Sequence, residues 1–325
     1  MKKAIFLLLI LCLLLTGCTT YTELNDLGIV SLLGIDYQDH NYIVYVSIME
    51  GNQDDGVLEK DNISYHAEAQ SLEEAFQNII IQSSKKVYLS HIDVLLLTDQ
   101  LINTKLKETL LNFLNNNEYR NNFNIVSVSS PLASFFESEI KTDEIEKLIS
   151  INHQESGTTQ TIDFETFFKN LLIDQNSYLP RISLEEEHLI IDGFTLKKDY
   201  QKYQTLNQEE SILLNLLNNQ ITHAVWKNIT IYENETTIKI NQNKVTITLN
   251  ITTDDKQKLN QKLKSHIETF WSNYQKQNYD LLKLQYKIYQ NDFSYYKTQH
   301  NLLQKIKLEI KLNIKQKNNY IGEIS

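Results

Sequence analysis

The chain has 325 residues, a formal net charge of −10 and a hydrophobic content of 41%. This hydrophobic content is enough for packed cores and excludes a disordered chain, and the length allows two or three domains. An acidic protein is not attracted to nucleic acid or to an anionic bilayer by its net charge. Any membrane association is therefore expected to come from another feature of the chain.

The amino terminus has the pattern of a bacterial lipoprotein signal. Lys2 and Lys3 precede an apolar run from Ala4 to Leu15, and two small residues then lead to Cys18. A basic start, an apolar run and small residues before a cleavage site are typical of a secretory signal. We expect a signal peptide at residues 1–17, cleavage before Cys18, and a diacylglycerol thioether with an N-linked acyl chain such as palmitate on Cys18. Two acyl chains are sufficient for stable anchoring.

The alternatives are an ordinary cleaved signal and an amino-terminal membrane helix, but the apolar run is shorter than the roughly 20 residues that a helix needs to cross a bilayer. Removal of residues 1–17 leaves 308 residues, changes the net charge from −10 to −12, and removes Cys12. Cys18 would be blocked by lipid. The mature chain is thus expected to have no disulfide and no thiol nucleophile.

Residues 18–131 are interpreted as an amino-terminal mixed α/β domain. Ser71 and Glu74 form a capping box before a helical apolar face, and a second helical face follows at residues 102–114. Alternating strands and helices predict a mixed sheet with helices packed on it. Strands are predicted at Tyr42–Met49, Asn62–Ala69, Ile92–Leu97 and Phe123–Val128.

Residues 132–225 are interpreted as a middle helical and α/β region. The first part is helical and polar, and Gln154–Gln160 is predicted to be a flexible loop. An extended segment at Leu179–Ile182, a strand at His188–Leu196 and a helix capped by Asn207 and Glu210 follow.

Residues 226–325 are interpreted as a carboxy-terminal α+β domain. Apolar residues alternate with polar ones from Val245 to Thr252, which predicts a strand paired as a hairpin with Thr236–Ile240. A long amphipathic helix runs from Leu259 to Tyr274. The final strand, Ile306–Lys315, has an apolar inner face and a mostly basic outer face. The predicted fold class is therefore α+β or mixed α/β, with three small domains of mixed sheets and packed helices.

The sequence contains little that indicates catalysis. The 8 histidines are scattered, and neither a nucleophile elbow nor a phosphate loop is present. Ser83-Ser84-Lys85-Lys86 contains an S-x-x-K string, but its usual partner motifs are absent, so a solvated helix end is the better interpretation. Glu185-Glu186-Glu187 is interpreted as a solvated turn. We expect no catalytic residue, no metal and no cofactor.

The carboxy-terminal region is rich in tyrosine. These residues can supply a contact surface for a partner, because tyrosine is enriched at protein interfaces. Half-buried packing in the core is the alternative, and it is the one that we favour from sequence. The tyrosines concerned are Tyr274, Tyr279, Tyr286, Tyr289, Tyr295 and Tyr296.

Three ordered motifs carry a resemblance to a known family. The first is Glu23-Leu24-Asn25-Asp26-Leu27 followed by an apolar turn and Gly34-Ile35-Asp36; the second is Ser90–Leu97; the third is Leu179–Ile182 with Leu189–Phe194 and Leu206–Glu210. In this order they resemble the C-subunit lipoproteins of bacterial spore germinant receptors, the Ger(x)C family. The resemblance extends over nearly the whole mature chain.

The resemblance implies three mixed α/β domains on the outer, extracytoplasmic face of the spore inner membrane. It implies partnership with two multi-pass receptor subunits, an A-type and a permease-like B-type subunit, and a requirement in nutrient-triggered germination without established catalysis. Two rival functions are a substrate-binding lipoprotein of a transporter and an envelope enzyme. The first usually has glycine-rich turns at its ligand, whereas this chain has only 8 glycines, and the second lacks a recognisable catalytic set.

Overall fold

In the computed structural model, the residues that can be described are 27–54, 57–116, 119–138, 140–174 and 176–317. Their strands form two sheets, one of nine strands and one of four. The strands are β1 (Leu27–Gln38), β2 (Asn41–Asp54), β3 (Val57–Ala69), β4 (Lys86–Tyr88), β5 (Val94–Thr98), β6 (Asn124–Val128), β7 (Asn176–Glu185), β8 (His188–Lys198), β9 (Gln201–Leu206), β10 (Ala224–Trp226), β11 (Ile229–Asn241), β12 (Lys244–Thr253) and β13 (Lys307–Gln316). The helices are α1 (Leu72–Gln82), α2 (Asp99–Thr104), α3 (Leu106–Asn115), α4 (Leu132–Glu137), α5 (Thr142–Ile151), α6 (Phe164–Asp174), α7 (Gln208–Leu217), α8 (Lys256–Lys276), α9 (Leu284–Asn291), α10 (Phe293–Lys297) and α11 (Leu302–Lys305).

The first sheet has parallel strands in its centre and antiparallel strands on both sides. Its order is β3-β2-β1-β5-β6-β7-β8-β9, and β4 also pairs with β1. Strands β1, β5, β6 and β7 are parallel to one another, whereas β2–β3 and β8–β9 join through antiparallel pairs. This arrangement confirms the predicted mixed α/β class.

Strand β5 shows why the centre of this sheet is parallel and buried. All five of its residues are buried. Leu95 and Leu97 belong to the core that includes α1, α2 and α3, whereas Val94 and Leu96 belong to a second core with α4 and α5. A strand covered by helices on both faces needs apolar residues on both faces, which produces a continuous apolar run.

Strand β1 differs from the sequence-based expectation. The motif was expected to contain an apolar turn between Leu27 and Gly34, but the structure has one continuous strand over Leu27–Gln38. A bulge between Val30 and Leu32 shifts the register with β2. The bulge places Ser31 and Leu32 on the same side of the sheet as α5, where Ser31 Oγ lies 2.9 Å from Thr142 Oγ1. An extra residue in the strand therefore accounts for a local pattern that resembles a turn.

The second sheet has the order β10-β11-β12-β13. The predicted hairpin is confirmed as β11–β12, and the predicted closing strand is confirmed as β13, which pairs in parallel with β12. Val245, Ile247 and Leu249 are fully buried on its inner face. The long helix α8 packs on that face through Leu259, Leu263 and further apolar residues at helical spacing.

Helix α7 packs between the two sheets. It contacts β8 and β9 of the first sheet and β11 and β12 of the second, and every residue from Ser211 to Leu217 is buried. The predicted capping box is confirmed, since Asn207 and Glu210 each bond the other's backbone N–H. Gly193 in β8 permits the close approach: its φ is +108°, and a Cβ there would lie 2.3 Å from the carbonyl oxygen of Leu206.

The prediction of a flexible loop at Gln154–Gln160 is wrong. Residues Asn152–Ser156 form a π-helical turn that extends α5, and residues 157–160 are buried. The amide nitrogen of Asn215 in α7 donates hydrogen bonds to the carbonyl oxygens of Gly157 (2.8 Å) and Thr159 (3.1 Å). A buried loop needs partners for its backbone groups, and here a side chain distant in sequence supplies them.

The proposed division into residues 18–131, 132–225 and 226–325 stays a prediction. The first sheet takes strands from both sides of residue 131, because β6 precedes that position and β7 follows it. The second sheet begins with β10, which includes residues on both sides of position 225.

Candidate functional site

The predicted lipidation site, Cys18, lies outside the described residues, as does the whole predicted signal peptide. Within the described residues, no helix has both the length and the apolar character required to cross a bilayer. Two other regions concentrate chemically distinctive side chains. One is a buried charged cluster beneath α2, and the other is an aromatic surface formed by α9 and α10.

The charged cluster joins the start of α2 to strands β7, β8 and β9. Arg181 in β7 donates two hydrogen bonds to the carboxylate of Asp99, with Nη1 at 2.7 Å and Nη2 at 2.8 Å, and a third to Thr195 Oγ1 at 3.0 Å. Lys202 Nζ donates to the same Asp99 carboxylate at 2.5 Å. Asp192 Oδ2 lies 4.0 Å from Arg181 Nε. Two cations therefore converge on one carboxylate.

The pKa shift of Asp99 follows from this geometry. Burial acts to raise the pKa of Asp99, but the hydrogen bonds and charges of Arg181 and Lys202 more than offset it and hold this pKa below its ordinary value. The carboxylate is thus ionised at neutral pH. An ionised carboxylate that accepts hydrogen bonds from two cations holds neighbouring elements together. It has no proton to donate, and its bonded oxygens are poor proton acceptors.

Lys197 lies beside this cluster and is fully buried. Its Nζ donates a hydrogen bond to the carbonyl oxygen of Ile102 in α2, at 3.3 Å. Burial lowers the pKa of Lys197 to about 6, against the opposing charge of Asp99. A neutral buried amine can be a nucleophile or a base. This amine is closed off from solvent and bonded to a helix carbonyl.

The remaining candidates from the sequence have structural positions. Ser83 is the C-cap of α1, and its Oγ accepts a hydrogen bond from the backbone N–H of Lys85 (3.1 Å). Glu186 and Glu187 form the β7–β8 turn with φ values of +47° and +68°. Among the described residues, no three His, Cys, Asp or Glu side chains converge as metal ligands.

The six carboxy-terminal tyrosines range from buried to exposed. Tyr274 and Tyr279 are buried between the two sheets, as the packing interpretation predicts. The Tyr279 hydroxyl donates to the backbone carbonyls of Ser177 (3.1 Å) and Lys197 (2.9 Å), and its ring stacks on Tyr203 with centroids 4.7 Å apart. These two tyrosines hold the second sheet's helices against the edge of the first sheet.

Tyr286, Tyr295 and Tyr296 are half-buried, as the packing interpretation predicts, whereas Tyr289 and Phe293 are exposed. We call the neighbouring rings Tyr286, Tyr289, Phe293 and Tyr296 the aromatic patch. Tyr289 is the centre of this patch, with ring centroids 6.1 Å from Tyr286, 5.4 Å from Phe293 and 5.4 Å from Tyr296. Tyr289 is 43% exposed and Phe293 is 56% exposed. Rings that pack on one another and remain open to solvent are typical of a contact surface.

Helix α6 extends the aromatic patch with aliphatic side chains. Leu172 and Ile173 at the end of α6 are 61% and 39% exposed. Ile173 and Asn176 line a shallow cleft of about 350 Å³ together with three of the tyrosines. The sequence identified the tyrosines but not the aliphatic residues, because α6 is more than 100 residues away in the chain. Only the tertiary structure brings the two segments together.

Taken together, the described residues form a two-sheet mixed α/β protein with a self-neutralised charged cluster and one open aromatic surface. A family model for the spore germination protein N-terminal domain matches residues 20–184. This match covers half of the chain, and the chain therefore belongs to the Ger(x)C family of germinant receptor C subunits.

Two known proteins are similar to this chain. The spore germination protein KC of Bacillus subtilis (strain 168) is 25% identical over 189 residues, which are 51% of this chain and 44% of that protein. The chain thus matches less than half the length of this relative. The crystal structure of the GerBC protein is similar with a TM-score of 0.57 at 15% identity, and the alignment covers 88% of this chain and 97% of that chain. The structural likeness confirms the fold.

Proposed function

We propose that this chain is the lipid-anchored C subunit of a nutrient germinant receptor, required for spore germination. Lipid on Cys18 would hold it on the outer face of the spore inner membrane. There it would assemble with an A-type subunit and a permease-like B-type subunit, both multi-pass membrane proteins. The observation that carries the proposal is the family match over residues 20–184.

The proposed role is assembly without catalysis. Asp99 is neutralised by Arg181 and Lys202, and the buried amine of Lys197 is bonded to a helix carbonyl. The aromatic patch, by contrast, is an open surface of rings. A subunit that acts by contact, with a protein or with a membrane, needs such a surface and needs no reactive group.

Purification of the intact complex tests the assembly. We would tag the carboxy terminus, solubilise spore membranes in mild detergent, and identify the proteins that co-purify. Two multi-pass proteins, one of them permease-like, are the expected result. Recovery of the chain alone, or together with an ATP-driven importer, would contradict the proposal and favour a substrate-binding lipoprotein.

Substitution of the two cysteines tests the anchor. Cys18→Ala removes the sulfur that would carry diacylglycerol, and we expect this variant to leave the membrane fraction or to remain unprocessed. Cys12→Ala is the matched control, because it lies within the predicted signal peptide and should fractionate like the unaltered protein. If Cys18→Ala is processed, stays with membranes and supports germination, the anchor is not at Cys18.

A further inference from the structure

The aromatic patch lies at the same end of the first sheet as the start of β1. The register aligns Leu32 of β1 with Val94 of β5, and Val94 with Asn124 of β6. Strand β7 in turn pairs in parallel with β6. Leu27 and Asn176 are therefore both at the amino-terminal ends of parallel strands. These two strands are three inter-strand spacings apart, or about 14 Å.

Asn176 is part of the cleft that Tyr286, Tyr289 and Tyr296 also line. The patch is thus adjacent to the point where β7 enters the sheet. Leu27 is nine positions after Cys18, and a fully extended segment of that length spans at most about 30 Å. A bilayer that holds lipid on Cys18 is therefore within reach of the patch.

The segment that contains the patch is basic in sequence. Residues 276–317 contain nine lysines and three acidic residues, a net charge of +6, within a chain of net charge −10. The other residues therefore carry −16. Two of the three acids are used as helix caps: Asp280 accepts from the N–H groups of Leu284 and Gln285, and Asp292 accepts from that of Tyr295.

An anionic surface attracts a basic segment. Charge complementarity thus favours contact through α9 and α10.

We propose that the aromatic patch, with Lys287 of α9 and Lys297 of α10, rests on the anionic headgroup surface of the bilayer. This inference rests on the proposed function, because the lipid on Cys18 is what brings the surface within reach. Tyrosine and phenylalanine rings are well suited to the headgroup region, since they combine an apolar body with, in tyrosine, a polar tip. Lysines near an anionic leaflet add electrostatic attraction. The patch would fix the orientation of the subunit on the membrane.

Vesicle binding without the lipid anchor tests the proposal directly. The mature chain with Cys18→Ser would be mixed with vesicles of phosphatidylcholine alone and with vesicles that also contain phosphatidylglycerol. We expect sedimentation with the anionic vesicles, little with the neutral ones, and release by salt. The double variant Tyr289→Ser/Phe293→Ser should bind about ten-fold more weakly. Ile151→Ser is the matched control, because Ile151 is also 56% exposed but lies on α5.

A charge reversal adds a second measurement. Lys297→Glu should weaken binding to the anionic vesicles about five-fold or more, whereas Lys147→Glu on α5 should have a much smaller effect, because Lys147 is exposed and α5 packs in the other core. Equal binding of the patch variants and the unaltered chain would overturn the proposal. Loss of co-purified receptor subunits with unchanged vesicle binding would also overturn it and make the patch a protein interface. Because the chain in this assay has no lipid, a failure here leaves the separate result for Cys18→Ala unaffected.

Discussion

The charged cluster and the aromatic patch differ in whether their side chains are satisfied by one another or remain open to solvent. In the cluster, Arg181, Lys202 and Asp99 face one another and leave little for an outside molecule to bind. In the patch, the rings of Tyr289 and Phe293 touch one another and yet remain about half exposed. The difference indicates that the concentration of charge in this fold serves stability, and that the open aromatic surface serves contact.

Removal of the arginine from the cluster should give the largest effect on stability. Arg181→Met would leave Asp99 without its bidentate partner and Thr195 without the hydrogen bond that Arg181 donates. Breaking a buried pair by removing one partner costs about 3–5 kcal/mol, and the partial exposure of Asp99 reduces this to about 2–4 kcal/mol. Urea unfolding of the unlipidated chain would measure it. Lys147→Met, which removes an exposed ion pair with Asp143, is the control and should change stability by less than about 1 kcal/mol.

Substitution of Lys197 should stabilise the protein, in contrast to substitution of Arg181. The pKa of Lys197 is lowered by burial to about 6 in the folded chain, so the unfolded chain binds more protons between pH 6 and the ordinary lysine pKa of about 10.4. The resulting cost to folding is fully present below pH 6 and decreases as the pH rises through this window. Lys197→Met removes the cost and should stabilise the protein by roughly 1–4 kcal/mol at pH 7.

The pH dependence provides the decisive control for this variant. The stability difference between Lys197→Met and the unaltered chain should decrease from pH 6.5 to pH 8.5, at up to about 1.4 kcal/mol per pH unit. Chemical unfolding at several pH values would measure this slope. A stability difference that does not change with pH would mean that Lys197 is already paired or hydrated in the folded protein. The contrast between the closed charged cluster and the open aromatic patch would then be weaker.

The smallest effect on stability is expected in the aromatic patch. Phe293→Ser and Ile151→Ser remove equally exposed side chains, and each should change the free energy of unfolding by less than about 0.5 kcal/mol. Only the first should weaken binding to anionic vesicles. A loss of more than about 2 kcal/mol for Phe293→Ser in urea unfolding would show that the patch belongs to the core and is not a contact surface.

Local patterns in the sequence were sufficient for most individual elements. The capping box of α7 depends on two residues three positions apart, Asn207 and Glu210, and it forms as predicted. The alternation in β12 and the helical spacing in α8 also depend only on neighbouring residues. Periodicity and caps are local properties, and they can be recognised wherever the residues lie along the chain.

Long-range partners account for the expectations that differ from the structure. Residues 157–160 look like a loop because they lack periodicity, yet Asn215 supplies the hydrogen bonds that allow them to be buried. The pairing of Asp99 with Arg181 spans 82 positions, and no sequence motif links the two residues. The cleft that Ile173 lines with three tyrosines has the same origin in a contact between distant segments.

The sequence by itself determined the mixed α/β class, the family to which the chain belongs, and the tyrosines that make up most of the candidate surface. These properties depend on residue types, their order and their short-range spacing. Only the tertiary structure decided which tyrosines are buried, because Tyr274 and Tyr279 meet the edge of the first sheet while Tyr289 does not. It also decided that the basic aromatic region lies beside the amino-terminal end of the parallel strands, since this position depends on strand order and on packing between distant segments.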